Sequence, residues 1–148
     1  MGAADPDELV QLIERKFEDP EDEIAALDGA LAAEAQLQDW PLPEDRQIVR
    51  ARLLSRLSEA YEKRPQQDRA ENYEKALQTL QDALSLPSLK DKAPALWAQI
   101  QRNIGRLFRQ RLRGDRSENL ESAIAAYKPA LEVSSIQQAS KWIAGRGA

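Results

Sequence analysis

The chain has 148 residues and a formal net charge of −4, with neither cysteine nor histidine. Disulfides, thiolate zinc sites and the common Ser–His and Cys–His catalytic pairs are therefore excluded. The length fits a single domain with a sizeable core.

Ala, Leu, Glu, Gln and Arg dominate, which favours helix throughout, and no β-branched run reads as a strand. No stretch approaches the roughly 20 apolar residues of a membrane-spanning helix. The acidic start, MGAADPDE, shows no basic region followed by an apolar stretch, so a cytoplasmic protein is expected. Residues 1–45 hold fourteen acids against Arg15 and Lys16, a net −12, whereas residues 46–148 carry +8. That asymmetry implies charge pairing within the chain or head-to-tail association between chains.

Asp5 is placed to cap a first helix, with Glu8 as the partner of a capping box. Leu9, Leu12, Ile13 and Phe17 share one face of it. Asp19 and Pro20 suit the cap and first turn of a second helix. Ile24, Leu27, Leu31 and Ala35 form its stripe, and Ala26, Ala30 and Ala33 permit close approach. Residues 1–42 thus read as an acidic N-terminal cap hairpin. Trp40-Pro41-Leu42-Pro43 breaks the chain.

A third helix is expected over roughly 44–63, with Val49, Leu53, Leu57, Ala60 and Tyr61 inward. After a turn at Arg64-Pro65-Gln66-Gln67, a fourth helix starts at Asp68 with Glu71 as its box partner. It carries Tyr73, Ala76, Leu77, Leu80, Ala83 and Leu84. Residues 43–87 make one repeat, and Pro87 to Lys92 form a linker. The fifth helix carries Trp97, Ile100, Ile104, Leu107 and Phe108. A tight turn at Gly114–Asp115 leads to the sixth, which carries Leu120, Ala123, Ile124, Tyr127, Ala130 and Leu131. Residues 91–134 make the second repeat, and Pro129 should kink or weaken its last turn. Residues 135–148 are expected to add a short seventh helix, with Ile136, Ala139 and Ile143 covering the open end. Ser140 to Ala144 also look like the opening of a further repeat.

The two repeats correspond position by position at a spacing of 47. Arg64, Asp68, Arg69, Glu71, Asn72, Glu74, Ala76, Ala83 and Leu84 recur as Arg111, Asp115, Arg116, Glu118, Asn119, Glu121, Ala123, Ala130 and Leu131. Ile104, Gly105 and Phe108 on one helix, with Ala123, Tyr127 and Ala130 on the next, resemble the tetratricopeptide repeat. Leu57, Tyr61, Ala76, Leu80 and Ala83 match in the earlier copy, with Ser58 in place of glycine. The resemblance implies an all-α, right-handed superhelix of hairpins that binds other proteins in its groove. The period is longer than the family's roughly 34 residues. It is similar to a long bacterial variant often joined to caspase-like protease or signalling domains.

Asp68 with Glu71, and Asp115 with Glu118, have the spacing of helix caps rather than of a catalytic carboxylate pair. Asn72 and Asn119 suit buried amides bonded to the preceding turn. Trp40, Trp97 and Trp142 suit packing at hairpin edges. No phosphate loop, metal cluster, cofactor site or catalytic constellation is legible, so no enzymatic activity is expected.

The candidate binding residues are Arg102, Arg106, Arg109 and Arg113, one helical face by spacing, together with Glu59 and Glu62. In-register stacking would set Arg106 beside Glu59 and Arg109 beside Glu62, leaving Arg102 and Arg113 freer. The leading expectation is a protein-interaction scaffold. Its partner would present acidic side chains, and self-association through the acidic and basic parts is included. The alternative is nucleic acid or another polyanion bound through the arginine face, although no aromatics interleave there for base stacking.

Overall fold

The computed structural model describes residues 5–65 and 68–146. Of the expected turn at Arg64–Gln67, Gln66 and Gln67 lie outside the described residues. The described residues form seven helices and no strand: α1 (Pro6–Glu14), α2 (Pro20–Gln36), α3 (Arg46–Lys63), α4 (Arg69–Leu84), α5 (Leu89–Lys92), α6 (Pro94–Gln110) and α7 (Arg116–Arg146). The all-α reading holds.

The helix starts follow from their caps. Asp5 Oδ1 accepts the Asp7 N–H at 3.0 Å and Asp19 Oδ1 that of Glu21 at 2.9 Å, each with proline in the first turn. Asp45 receives the N–H groups of Gln47 and Ile48. Asp68 and Asp115 receive those of Glu71 and Glu118 at 2.9 and 3.0 Å, so both act as caps. Such caps contribute roughly 0.5–2 kcal/mol each. Gly114 has φ +85°, a left-handed turn residue that lets the chain reverse before Asp115.

Successive helices pack as antiparallel pairs, α3 on α4 and α6 on α7, and α6 also lies on α4. The small residues sit where the pairs are tightest: Ala76, Ala83 and Ala130 have no exposed surface, and Ala123 has 2%. Asn72 and Asn119 are buried, and their Nδ2 atoms donate to the carbonyls of Arg64 and Arg113. Each amide thereby ties the turn ahead of its helix to the helix itself.

Several expectations change. Pro87 to Lys92 is not a plain linker, because α5 forms there and buries Leu89 completely against α3 and α6. The seventh helix is not separate: α7 runs unbroken for 31 residues through Pro129. Ala125, whose carbonyl loses its donor to that proline, is on the exposed side of the helix, where water can replace it. Because no break follows Val133, Ile136, Ala139 and Ile143 do not turn back over the open end and all three are exposed. Leu120, Ile124 and Leu131 are exposed for the same reason.

The last change concerns α2. Ala35 is exposed, and Glu34 is buried beside Leu27 and Leu31 instead. Among the tryptophans, Trp40 and Trp97 pack against the core, whereas Trp142 is 61% exposed.

Candidate functional site

One face of α3 is defined by Ile48, Arg52, Ser55, Glu59 and Glu62, at spacings of three and four residues. Near its first turns lies a cleft of about 790 Å³ bordered by α1, with Val10, Ile13, Ile48 and Val49 in its wall and Arg15, Arg52, Glu44 and Asp45 about it. Near its last turns the face meets α6 through an ion pair. The Arg106 guanidinium grips both oxygens of Glu62, at 2.7 and 3.0 Å.

That pair corrects the expected stacking. Arg106 engages Glu62 rather than Glu59, one turn further along α3 than the in-register arrangement expects. α6 packs principally against α4 and α7. The hydrogen bonds that Arg106 donates to Glu62 raise its pKa above the ordinary value, so the charge is fixed.

The remaining candidates divide differently from expectation. Arg109 is exposed and makes no ion pair among the described residues; its backbone carbonyl accepts a hydrogen bond from Arg116. Arg102 is exposed and donates to the Ser134 hydroxyl at 3.1 Å. Arg113 is not on the helical face at all. α6 stops at Gln110, and Arg113 lies in the following loop, 3.0 Å from Glu71 and 3.7 Å from Asp68. The freer cations are thus Arg102 and Arg109. Glu59 is half-buried without an ion pair among the described residues.

A second arginine contact recurs between repeats. Arg111 holds Glu74 of α4 through two hydrogen bonds, at 2.9 and 2.5 Å, and donates to Asn119 at 3.2 Å. The hydrogen bond from Arg111 holds the Glu74 carboxyl below its ordinary range. Arg64, the equivalent residue one repeat earlier, holds Glu21 of α2. In both cases the residue that ends one helix reaches back to the second helix of the hairpin before it.

The acidic N-terminal hairpin is anchored by α3, which the sequence reading missed. Buried Glu34 pairs with Arg46 at 2.6 Å and Arg50 at 2.5 Å, and buried Glu23 pairs with Arg56 at 2.6 Å. The same arginines cap helix ends. Arg46 donates to the carbonyls of Glu34 and Leu37, and Arg56 to those of Ile13 and Arg15. Each guanidinium so fills carbonyls that the helix leaves open. A signal existed: Glu23 and Glu34 are eleven residues apart, on the same helical face as Leu27 and Leu31. Part of the charge asymmetry is therefore spent inside the chain.

No helix among the described residues is long and apolar enough to cross a membrane. No family model, no curated protein and no solved structure matches the chain.

Proposed function

We propose that this chain is a tetratricopeptide-like scaffold that recognises another protein, and that it does so along the face shared by α3 and α6. The observation that supports this is the pattern of committed charge. Arg106, Arg111 and Arg113 are consumed in joining hairpins, whereas Arg102 and Arg109 project from the outer face of α6 without ion pairs among the described residues. A segment lying along this face would meet these two cations at one end. At the other it would meet the apolar cleft beside Ile13 and Ile48. The fitting partner is an extended or helical peptide with acidic side chains at one end and apolar ones at the other. The right-handed superhelix and the long-repeat bacterial type belong to this reading.

The polyanion reading draws on the same arginines and is weakened by the same observation. Phosphate binding scales with the number of cations available to neutralise it, and half of the stripe is already paired. The experiment is charge reversal of Arg102 and Arg109 to Glu, with unchanged helical circular dichroism as the control. The partner recovered with the wild-type chain should no longer bind. Undiminished binding contradicts the proposal. Wild-type binding to single-stranded RNA with a steep salt slope, and to no protein, favours the polyanion.

A further inference from the structure

The outer face of α7 at Leu120, Ile124 and Leu131 is a helix-packing face that no helix among the described residues covers. Leu120, Ile124 and Leu131 occupy the places that Tyr73, Leu77 and Leu84 hold one repeat earlier. There, α6 packs on α4, Tyr73 and Leu77 are buried and Leu84 is half-buried. On α7 the three equivalents are 38%, 59% and 62% exposed.

The length of this face decides what fits it. α6 has 17 residues, about 25 Å, whereas α7 has 31, about 46 Å. A helix like α6 therefore covers only half of α7. The other half runs past the hairpin, with Gln138 and Trp142 exposed in line with Leu131 and Ile136 and Ile143 exposed on another side. A projecting helix of a dozen residues is marginal in water unless something packs on it. The acidic α1–α2 end of another copy fits poorly, because α7 begins with exposed Asp115, Glu118 and Glu121.

A second α7 fits in length and in pattern. Positions 120, 124, 131, 138 and 142 form one exposed stripe, spaced 4-7-7-4, which reads identically in both directions from Leu131. Its average, about 3.7 residues per turn, keeps the stripe on one side of a nearly straight helix. Set antiparallel about Leu131, two copies bring Leu131 against Leu131 and Leu120 to the level of Trp142. Ile124 meets the flexible Gln138. On the flank, exposed Lys128 falls beside exposed Glu132 of the other copy, twice over. The two helix dipoles oppose.

We propose that the chain forms a two-fold dimer in which the outer faces of two antiparallel α7 helices pack on each other, centred on Leu131. The contact is isologous, so it closes at two copies. It leaves the α3–α6 face to its own partner and stands independently of the function proposed above.

Sedimentation equilibrium on the whole chain tests it. The wild type should have twice the 16.6 kDa chain mass, and Leu131→Asp should halve that mass with unchanged circular dichroism. The chain has no cysteine, so Leu131→Cys supplies a single thiol. On mild oxidation it should give a disulfide-linked dimer, whereas Ala125→Cys, off the stripe, should not. Lys128→Glu and Glu132→Lys should each weaken the dimer alone, and mixing the two variants should restore it. A monomeric wild type, a dimeric Leu131→Asp variant, equal crosslinking at positions 125 and 131, or no recovery on mixing would each overturn the proposal.

Discussion

A Cβ built on Gly105 would lie 2.8 Å from Cε1 of Tyr127. α6 and α7 thus touch where one residue has no side chain and its neighbour has a ring. One repeat earlier the corresponding residues are Ser58 and Leu80, both buried, and the Ser58 hydroxyl donates to the Ala76 carbonyl at 3.0 Å. A larger residue on one helix is matched by a smaller one on the other. Gly105→Ala should therefore destabilise by about 1–3 kcal/mol from overpacking, offset by up to about 1 kcal/mol of helix propensity. Adding Tyr127→Leu to Gly105→Ser should recover much of the loss, since it copies the Ser58/Leu80 pair. Urea denaturation of the single and double variants checks this.

The N-terminal hairpin should depend on Glu34 more than on any exposed acid. Its carboxylate is buried and answers two arginines. Glu34→Gln removes charge-assisted hydrogen bonds worth about 1.5–3 kcal/mol. Glu14→Gln, on the exposed end of α1, should change stability by less than about 0.5 kcal/mol. Hydrogen exchange should show α1 and α2 opening preferentially in the Glu34 variant, with α6 and α7 unaffected.

The Arg111–Glu74 contact makes a pH-dependent contribution whose sign follows from Glu74. Its folded pKa is depressed, mainly by the Arg111 hydrogen bond. The stabilisation is complete above the ordinary glutamate pKa of about 4.3 and is lost as pH falls through the lower folded value. Arg111→Met should therefore cost about 1 kcal/mol at neutral pH. Its deficit against the wild type should narrow on acidification below about pH 4. A deficit independent of pH would show that the Asn119 contact, not Glu74, carries the effect.

The two equivalent caps should be similar in strength. Asp68→Ala and Asp115→Ala should each cost roughly 0.5–2 kcal/mol, because each side chain accepts one N–H at nearly the same distance. Asn at either position should retain most of the stability. Thermal melts of the four variants measure it.

What was legible in the chain was local or recurrent. Aspartates before helices, Gly114 before Asp115, the buried asparagines and the alanines between paired helices all act through neighbours a few residues away, or appear twice. What was not legible depends on how far elements slide or extend. The pairing of Arg106 with Glu62 instead of Glu59 depends on where a long guanidinium side chain reaches between two separately packed helices. α5 forms because Leu89 is drawn into the core, and a four-residue helix leaves no period to read. Pro129 suggested an end, yet the helix tolerates it beside an exposed residue. Among the site candidates, Arg102 and Arg109 keep the freedom needed to meet a partner, and Arg106 and Arg113 are spent on holding hairpins together.

The central claim is that the face shared by α3 and α6 recognises an acidic polypeptide. Its most direct measurement is an NMR titration of the ¹⁵N-labelled chain, following the arginine Nε–H signals. The probes are a peptide with an acidic end and an apolar end, and separately a single-stranded RNA. The account predicts saturable shifts for the peptide at Arg102 and Arg109, extending along α3 towards Ile48, with α7 unperturbed except about Ser134, which Arg102 contacts. RNA should give weak shifts that vanish at moderate salt. Saturable RNA binding through these arginines, or peptide shifts confined to another face, would contradict it.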